Sequence, residues 1–155
     1  MVAKNKDKKF DEKIKKESLD SISGFGKKIV AAVENKNPPV FEIPLRSKTN
    51  ISFDEKQKIL VLGDKTSSRR FLNVAHARKF MQSALIASAC KEYIEHDRTV
   101  GKRELYYNLK HSLPNSKENT FEDDIESGTV LNDLEASMGV LRERLHIEAK
   151  ARGSI

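Results

Sequence analysis

The chain has 155 residues, of which 37% are hydrophobic and 34% charged, and its formal net charge is +6. This length fits one compact domain with some additional chain, and such a domain can bury a core without disulfide or metal staples. The single cysteine, Cys90, excludes a disulfide within the chain, and no apolar run approaches the ~18 residues of a membrane span.

The charges are clustered along the sequence. Residues 1–16 hold seven lysines against three acids, and residues 65–103 hold nine lysines and arginines against three acids. Residues 114–135 instead hold one lysine against seven acids. Clustered positive charge favours a polyanionic partner such as nucleic acid. A lone cysteine without a signal-peptide-like segment indicates a reducing intracellular compartment.

The N-terminal region combines a basic stretch with a helical pattern. Residues 1–17 are predicted to form a basic disordered arm, which either contacts phosphates or only keeps the protein in solution. Between Ser18 and Asn35 the apolar residues recur at helical spacing. Gly24 and Gly26 interrupt this pattern and predict a helix that is broken or begins late.

A small β segment follows this helix. Residues 40–45 alternate between apolar and polar side chains and predict a strand, which Pro44 places at the edge of a sheet. Residues 59–62 predict a second strand, and residues 50–57 between them are turn-like. Residues 18–65 are therefore predicted to form a small helix-plus-strand segment ahead of the main domain.

Two helices are predicted next. Residues 80–94 are apolar on nearly every side, which is typical of a helix buried at the centre of a domain, and this helix is expected to end near His96. Cys90 lies within it and is interpreted as a small buried thiol. A second helix is predicted over residues 102–111, with Thr99 as its N-cap.

A third helix and a strand complete the pattern. The helix is predicted over residues 129–144 and carries one apolar stripe at spacings of three and four. Residues 145–149 alternate as a strand and run into a turn at residues 150–153. Three helices followed by a strand are the order of a winged helix, so the fold class is α+β with a CAP-like winged-helix domain over residues 66–155. Its wing is incomplete: either the last strand pairs with something outside this sequence, or, as we prefer, the chain is a fragment.

The second predicted helix presents two adjacent tyrosines on different faces. At helical spacing Tyr106 falls on the apolar side with Leu109, whereas Tyr107 falls among basic residues. These basic neighbours are Arg103, Lys110 and His111. A phenol, with an ordinary pKa near ~10, is a poor nucleophile until a cation, base or metal favours its phenolate. From the residues alone, Tyr107 is either a nucleophile or a surface tyrosine that packs or contacts phosphate.

The segment Gly101-Lys-Arg-Glu-Leu-Tyr-Tyr107 resembles the catalytic motif of the A subunits of archaeal DNA topoisomerase VI and of related meiotic double-strand-break proteins. Further stretches resemble the family in the same order, over about residues 18–155 in all. These stretches are residues 70–80, 118–124, 130–135 and 139–148. The resemblance implies that Tyr107 is the nucleophile, linked covalently to the 5′ phosphate of the cut strand. It also implies that Arg103 holds the scissile phosphate or favours the phenolate.

The resemblance further implies the activity and its partners. A type IIB topoisomerase makes a transient double-strand break in double-stranded DNA, passes a second duplex through it and relaxes supercoils with ATP. Two A subunits would act with two B subunits, each tyrosine working with the metal site of the other A subunit. The sequence has no Gly-rich phosphate loop, so this chain is not expected to bind ATP, and the resemblance implies that the B subunit binds it. Mg²⁺ would be held by a Toprim domain that this chain lacks, and the expected location is the cytoplasm, on the nucleoid.

The other basic residues of the winged-helix region are candidates for DNA contacts, which position a protein on DNA without specifying sequence. They are Arg69, Arg70, Arg78, Lys79, Lys102, Lys110 and His111. No metal ligands are predicted, and the acidic run 122–124 is interpreted as favourable charge near a helix start. The alternative function is a non-enzymatic winged-helix DNA-binding module such as a transcription regulator. A meiotic-type break protein is a third possibility, which differs mainly in its partners.

Overall fold

The computed structural model describes residues 2–148 and the side chains of residues 11–148. The helices are α1 (Val2–Glu34), α2 (Val74–Glu95), α3 (Lys102–Leu109) and α4 (Asp124–Met138). The strands are β1 (Val40–Pro44), β2 (Ile51–Asp54), β3 (Ile59–Leu62), β4 (Thr66–Arg70), β5 (Val100–Gly101) and β6 (Ile147–Glu148). Two short 3-10 turns occur at Lys48–Asn50 and Arg142–Leu145. The α+β class is confirmed.

Helix α2 lies at the centre of the core, as its apolar circumference predicts. It packs against α1, α3, α4 and β4. Ile86, Cys90 and Ile94 of α2 are completely buried, as are Leu131 and Leu134 of α4. Burying each such aliphatic side chain stabilises the fold by about 1.5–3 kcal/mol. The helix ends at Glu95, beside the predicted end, and the buried Cys90 thiol is confirmed.

A two-stranded antiparallel sheet joins the N-terminal segment to the main domain. β1 pairs with β4 from Val40 opposite Arg70 to Pro44 opposite Thr66. β1 buries Phe41 as one of its alternating inward residues, so the strand predicted there is confirmed. The sequence did not predict β4, because Thr-Ser-Ser-Arg-Arg has neither apolar residues nor alternation. Its backbone pairing with β1 decides its conformation.

The prediction of a turn over residues 50–57 is wrong in its first half. Residues 51–54 form β2, which pairs antiparallel with β3 from Ile51 opposite Leu62 to Asp54 opposite Ile59. The turn is confined to residues 55–58. The Asp54 carboxylate closes it by accepting hydrogen bonds of 2.8 and 3.1 Å from two backbone N–H groups.

Two predictions about the region of helix α1 are wrong. Residues 2–17, predicted as a disordered arm, have helical backbone, and the helix continues through Gly24 and Gly26 without a break. Lysine and glutamate are good helix formers, and a glycine in a helix costs only about 1 kcal/mol relative to alanine. Packing offsets this cost, because Phe25 meets Phe41 of β1 edge-on with 5.0 Å between the ring centroids.

The helix α3 begins at Lys102, as predicted, but its cap differs from the prediction. The N-cap is Gly101, which makes no side-chain hydrogen bond, so the assignment of Thr99 as the N-cap is wrong. The helix ends at Leu109 and not at His111. The two residues after Leu109 leave the helix because the His111 backbone pairs with Thr120: the His111 N–H donates to the Thr120 hydroxyl (3.1 Å) and the Thr120 N–H donates to the His111 carbonyl (2.9 Å).

The predicted bounds of the third helix, residues 129–144, are wrong at both ends. Helix α4 starts earlier because the Asp123 carboxylate caps it, accepting a hydrogen bond of 2.6 Å from the Glu126 N–H. It stops at Met138 because Gly139 adopts the left-handed conformation, with φ of 63°. Leu141, an apolar residue within the predicted helix, therefore lies outside α4 and is 68% exposed.

The last described strand, β6, lies within the predicted strand 145–149. It pairs in parallel with β5, with Val100 opposite Ile147. The predicted turn at residues 150–153 lies outside the described residues. The order α2, β5, α3, α4, β6 thus places a short strand pair beside three helices. Between residues 2 and 148, no helix combines the length and apolar character needed to cross a membrane.

Candidate functional site

Helix α3 presents its two tyrosines in opposite environments. Tyr106 is 7% exposed and belongs to the core, whereas Tyr107 is 65% exposed. Their ring centroids are 5.0 Å apart, with the planes tilted by 55°. Leu105, 1% exposed, fixes the helix against the core. The helical spacing predicted this division, and it leaves the Tyr107 phenol accessible to a large ligand.

The Tyr106 hydroxyl is held by two groups. It donates to the Glu122 backbone carbonyl (2.9 Å) and accepts from the Lys110 ammonium (2.7 Å). The same ammonium lies 3.4 Å from the Glu122 carbonyl and 5.2 Å from the Tyr106 ring centroid. The hydrogen bond to Tyr106 raises the pKa of Lys110, so the ammonium keeps its proton at neutral pH. Lys110 is therefore a fixed cation and not a proton acceptor.

Arg103 lies one helical turn before Tyr107. Its side chain is 79% exposed, and its Nε is 3.9 Å from a carboxylate oxygen of Asp124 at the start of α4. A pair this exposed contributes little to stability, since solvent screens both charges. The guanidinium can therefore exchange Asp124 for a phosphate at little cost.

Arg78 is bound to the acidic loop ahead of α4. Its guanidinium donates to the Glu122 carboxylate (2.8 Å) and the Asn119 carbonyl (3.1 Å). Carboxylate oxygens of Glu126 and Glu118 lie 3.7 and 3.9 Å away. The hydrogen bond to Glu122 raises the pKa of Arg78 further above its usual value. This arginine, predicted to contact DNA, fastens the acidic loop to α2.

Arg69, also predicted to contact DNA, forms an ion pair within the fold. Its side chain is 14% exposed and pairs with Asp133 of α4. Asp133 is nine residues beyond Asp124, the partner of Arg103, which corresponds to about 14 Å along the helix at 1.5 Å per residue. The structure thus places Arg69 well away from the α3 tyrosines.

The remaining predicted contacts lie on the surface at separate places. Arg70 is exposed at the end of β4, and Lys79 is exposed on α2. Lys102 is half-buried at the first position of α3, and His111 is exposed just beyond its last turn. Of the seven predicted DNA contacts, Lys102, Lys110 and His111 are therefore the ones on or directly after the helix that carries Tyr107.

Over the part of the chain that the structure describes, no three His, Cys, Asp or Glu side chains converge into a group that could hold a metal ion. The acidic residues before α4 are engaged otherwise: Glu122 binds Arg78, and Asp123 caps the helix.

Sequence reasoning missed the partners of the basic residues. Lys110 was grouped with Tyr107 at a spacing of three, but its ammonium bonds Tyr106 at a spacing of four. That spacing is visible in the sequence, so helical geometry alone could have suggested it. The pairing of Arg78 with Glu122 joins residues 44 positions apart and has no local signal.

Comparison with known proteins shows which family the chain resembles. A family model described as Type IIB DNA topoisomerase matches residues 78–147, which run from α2 to β6. The A subunit of the Type 2 DNA topoisomerase 6 of Pyrococcus abyssi is 43% identical over 137 residues, covering 88% of this chain and 36% of that protein. Its counterpart in Sulfurisphaera tokodaii is 34% identical over 154 residues, covering 95% and 40%. That of Methanothermobacter thermautotrophicus is 31% identical over 137 residues, covering 88% and 37%.

The matched segment and these similarities point to one class of proteins, the DNA topoisomerases. The chain belongs to the type IIB DNA topoisomerase family, and its similarity is to the A subunit. It spans between 36% and 40% of the length of these relatives.

Proposed function

We propose that this chain is the tyrosine-bearing part of the A subunit of a type IIB topoisomerase and that Tyr107 cleaves the DNA backbone. The observation that carries the proposal is the position of Tyr107. It is 65% exposed on α3, inside the segment that matches the family, and one turn after the exposed guanidinium of Arg103. The buried and hydrogen-bonded Tyr106 beside it has no such access.

The proposed reaction is a transesterification. The Tyr107 phenol oxygen attacks the phosphorus of the scissile phosphodiester, and the bond from phosphorus to the 3′ oxygen breaks. The phenol proton passes to solvent, and the departing 3′ oxygen takes up a proton to become a hydroxyl. The product is a 5′ phosphotyrosyl ester, and the reverse reaction reseals the strand without an external energy source. Arg103 donates hydrogen bonds to the non-bridging oxygens and stabilises their charge.

The fold proposed for this site is a winged helix. Its support is the order α2, β5, α3, α4, β6, with β6 as the first wing strand beside β5. In this arrangement Lys102, Lys110 and His111 contact phosphates near Tyr107, and the exposed Arg70 and Lys79 contact them farther out. Two of the predicted arginines are expected to contribute least to DNA binding, because carboxylates already bind them. These are Arg69 and Arg78.

The whole enzyme would contain more than this chain. Two A subunits would cut opposite strands, and two ATP-binding B subunits would drive passage of a second duplex, on nucleoid DNA in the cytoplasm. Mg²⁺ would stabilise charge on the attacking and leaving oxygens. Its ligands would come from outside the described residues, which hold no suitable cluster.

The experiment is the trapping of a covalent protein–DNA adduct. The A subunit that contains this chain is combined with its B subunit, Mg²⁺, a non-hydrolysable ATP analogue and supercoiled DNA, and the reaction is stopped with denaturant. Tyr107→Phe is expected to abolish the adduct. The matched control is Tyr93→Phe, since Tyr93 is buried and its hydroxyl accepts a 3.0 Å hydrogen bond from Asn108.

Two outcomes would contradict the proposal in different ways. An adduct that survives Tyr107→Phe would assign the chemistry to another residue. A wild-type complex that binds DNA and forms no adduct would favour the alternative function, a DNA-binding module without cleavage activity.

A further inference from the structure

We infer that Tyr106 and Lys110 form a positioning pair for the proposed nucleophile: the Tyr106 hydroxyl holds the Lys110 ammonium beside Tyr107, where it supplies fixed positive charge to the scissile phosphate. This inference rests on the proposed function and deepens it. It assigns a role to Tyr106, which the sequence marks only as a core residue.

The geometry of the pair restricts the ammonium to one place. A lysine side chain has four flexible carbons and ordinarily samples many positions. Here the Lys110 nitrogen is bound to the Tyr106 hydroxyl (2.7 Å) and approaches the Glu122 carbonyl (3.4 Å). The Tyr106 ring lies against that of Tyr107, with 5.0 Å between centroids. The buried tyrosine therefore connects the lysine to the exposed one.

The charge of Lys110 remains available to a ligand. Within residues 11–148 no carboxylate lies within ion-pair distance of the Lys110 ammonium. The Glu122 carboxylate, whose charge acts on Lys110, is bound to Arg78 at 2.8 Å. An ammonium has three N–H groups, and the described partners of Lys110 take two of them. The third can bond a phosphate oxygen. By contrast, Arg69 is already paired with a carboxylate.

The protonation of the pair fits a fixed cation. The Tyr106 proton is donated to the Glu122 carbonyl, so the hydroxyl oxygen can accept from Lys110. This bond raises the pKa of Lys110 and keeps the ammonium charged. Negative charge shifts among the phosphate oxygens as the phenol attacks. A donor that is already in place stabilises this charge without reorganisation.

The test separates the rate of cleavage from the affinity for DNA. The complete A subunit in complex with the B subunit is used with Mg²⁺, an ATP analogue and a duplex of defined length. Adduct formation is followed in single turnover at saturating DNA, and the Kd is measured separately. The variants are Tyr106→Phe, Lys110→Met, the double variant and Lys110→Arg. Tyr93→Phe is the control, since it removes another buried hydroxyl bonded to α3.

We expect Lys110→Met to slow adduct formation about 100-fold, the usual effect of removing one preorganised donor, with little change in Kd. Tyr106→Phe is expected to slow it about 10-fold, because the lysine keeps its charge but loses its anchor. The double variant should match Lys110→Met alone, since both changes act through one ammonium. Lys110→Arg should restore part of the rate, and Tyr93→Phe should leave it unchanged.

Three results would overturn the inference. Equal losses in Tyr106→Phe and Tyr93→Phe would show a structural effect only. A weaker Kd at an unchanged rate would make Lys110 an ordinary phosphate contact. Independent, multiplicative effects in the double variant would separate the two residues. If Tyr106→Phe fails to fold, Lys110→Met and Lys110→Arg still test whether the ammonium speeds cleavage. Lys110 is exposed, so these changes should not disturb folding. An adduct that persists in Tyr107→Phe would instead refute the proposed function.

Discussion

Asn50 illustrates how much one buried polar residue can organise. The two N–H groups of its side-chain amide are shared among three backbone carbonyls, and its oxygen accepts from the Lys65 N–H (3.0 Å). The three carbonyls belong to Leu45 (2.8 Å), Gly63 (3.2 Å) and Lys65 (3.0 Å). These bonds fasten the base of the β2–β3 hairpin to the end of β1. Asn50 is 5% exposed, so each lost bond would leave a buried polar group unsatisfied.

Gly63→Ala is expected to destabilise the chain through this residue. A Cβ at position 63 would lie 2.7 Å from the Asn50 side-chain oxygen, which cannot move without losing its hydrogen bonds. The free energy of unfolding should fall by about 1–3 kcal/mol, as in other overpacked sites. The control is Gly128→Ala in α4, where nothing lies within 4 Å and a gain of about 0.5–1 kcal/mol is expected. Urea denaturation measures both, and a Gly63→Ala protein as stable as the wild type would contradict the account.

The Cys90 thiol is expected to be unreactive in the folded protein. It is completely buried on α2, and burial raises its pKa to about 12. Below that pH the thiol stays protonated, and the thiolate is the reactive form. A thiol reagent at pH 8 should therefore label Cys90 slowly in native protein and rapidly in concentrated urea. Rapid labelling of the native protein would show that the core around α2 opens.

Among the elements, the β2–β3 hairpin differs from the β1–β4 sheet in what it buries. One face of the hairpin carries four apolar side chains that are between 40% and 71% exposed, namely Ile51, Phe53, Leu60 and Leu62. The β1–β4 sheet instead buries Phe41 and Ile43 against the core. The hairpin face therefore adds little to the stability of the fold.

Two phenylalanines test this difference. Phe41→Ala, at a position 4% exposed, is expected to lower the free energy of unfolding by about 3–5 kcal/mol because it empties a packed site. Phe53→Ala, at a position 58% exposed, should lower it by less than about 1 kcal/mol. Chemical denaturation of the two variants gives the comparison. Equal losses would mean that the hairpin face is covered in solution.

The sequence predicts an element well when the signal is local. The apolar circumference of α2 and the alternation of β1 are local signals, and both elements were predicted, although α2 begins at Val74 and not at residue 80. β4 has none, because its conformation comes from pairing with a strand 22 or more residues earlier. The start of α4 depends on a cap by Asp123, which the apolar stripe does not show. The different exposures of Tyr106 and Tyr107 followed from helix geometry, whereas the partner of Arg78 depended on the tertiary fold.

At the scale of the whole molecule, the acidic and basic regions of the sequence neutralise one another in part. The acidic loop before α4 binds Arg78, and Asp124 approaches Arg103. Among the described residues on α3, Lys110 is the lysine whose position is best defined, because its ammonium is bonded to the Tyr106 hydroxyl. A fixed positive charge at this place agrees with membership of a family that acts on DNA.

The central claim is that Tyr107 becomes linked to DNA. The most direct measurement is to trap the adduct that the A subunit containing this chain forms in complex with the B subunit, digest it with nuclease and protease, and identify the modified peptide by mass spectrometry. The account predicts a nucleotide attached through its 5′ phosphate to Tyr107. A nucleotide on any other residue, Tyr106 included, or one attached through a 3′ phosphate, would contradict it.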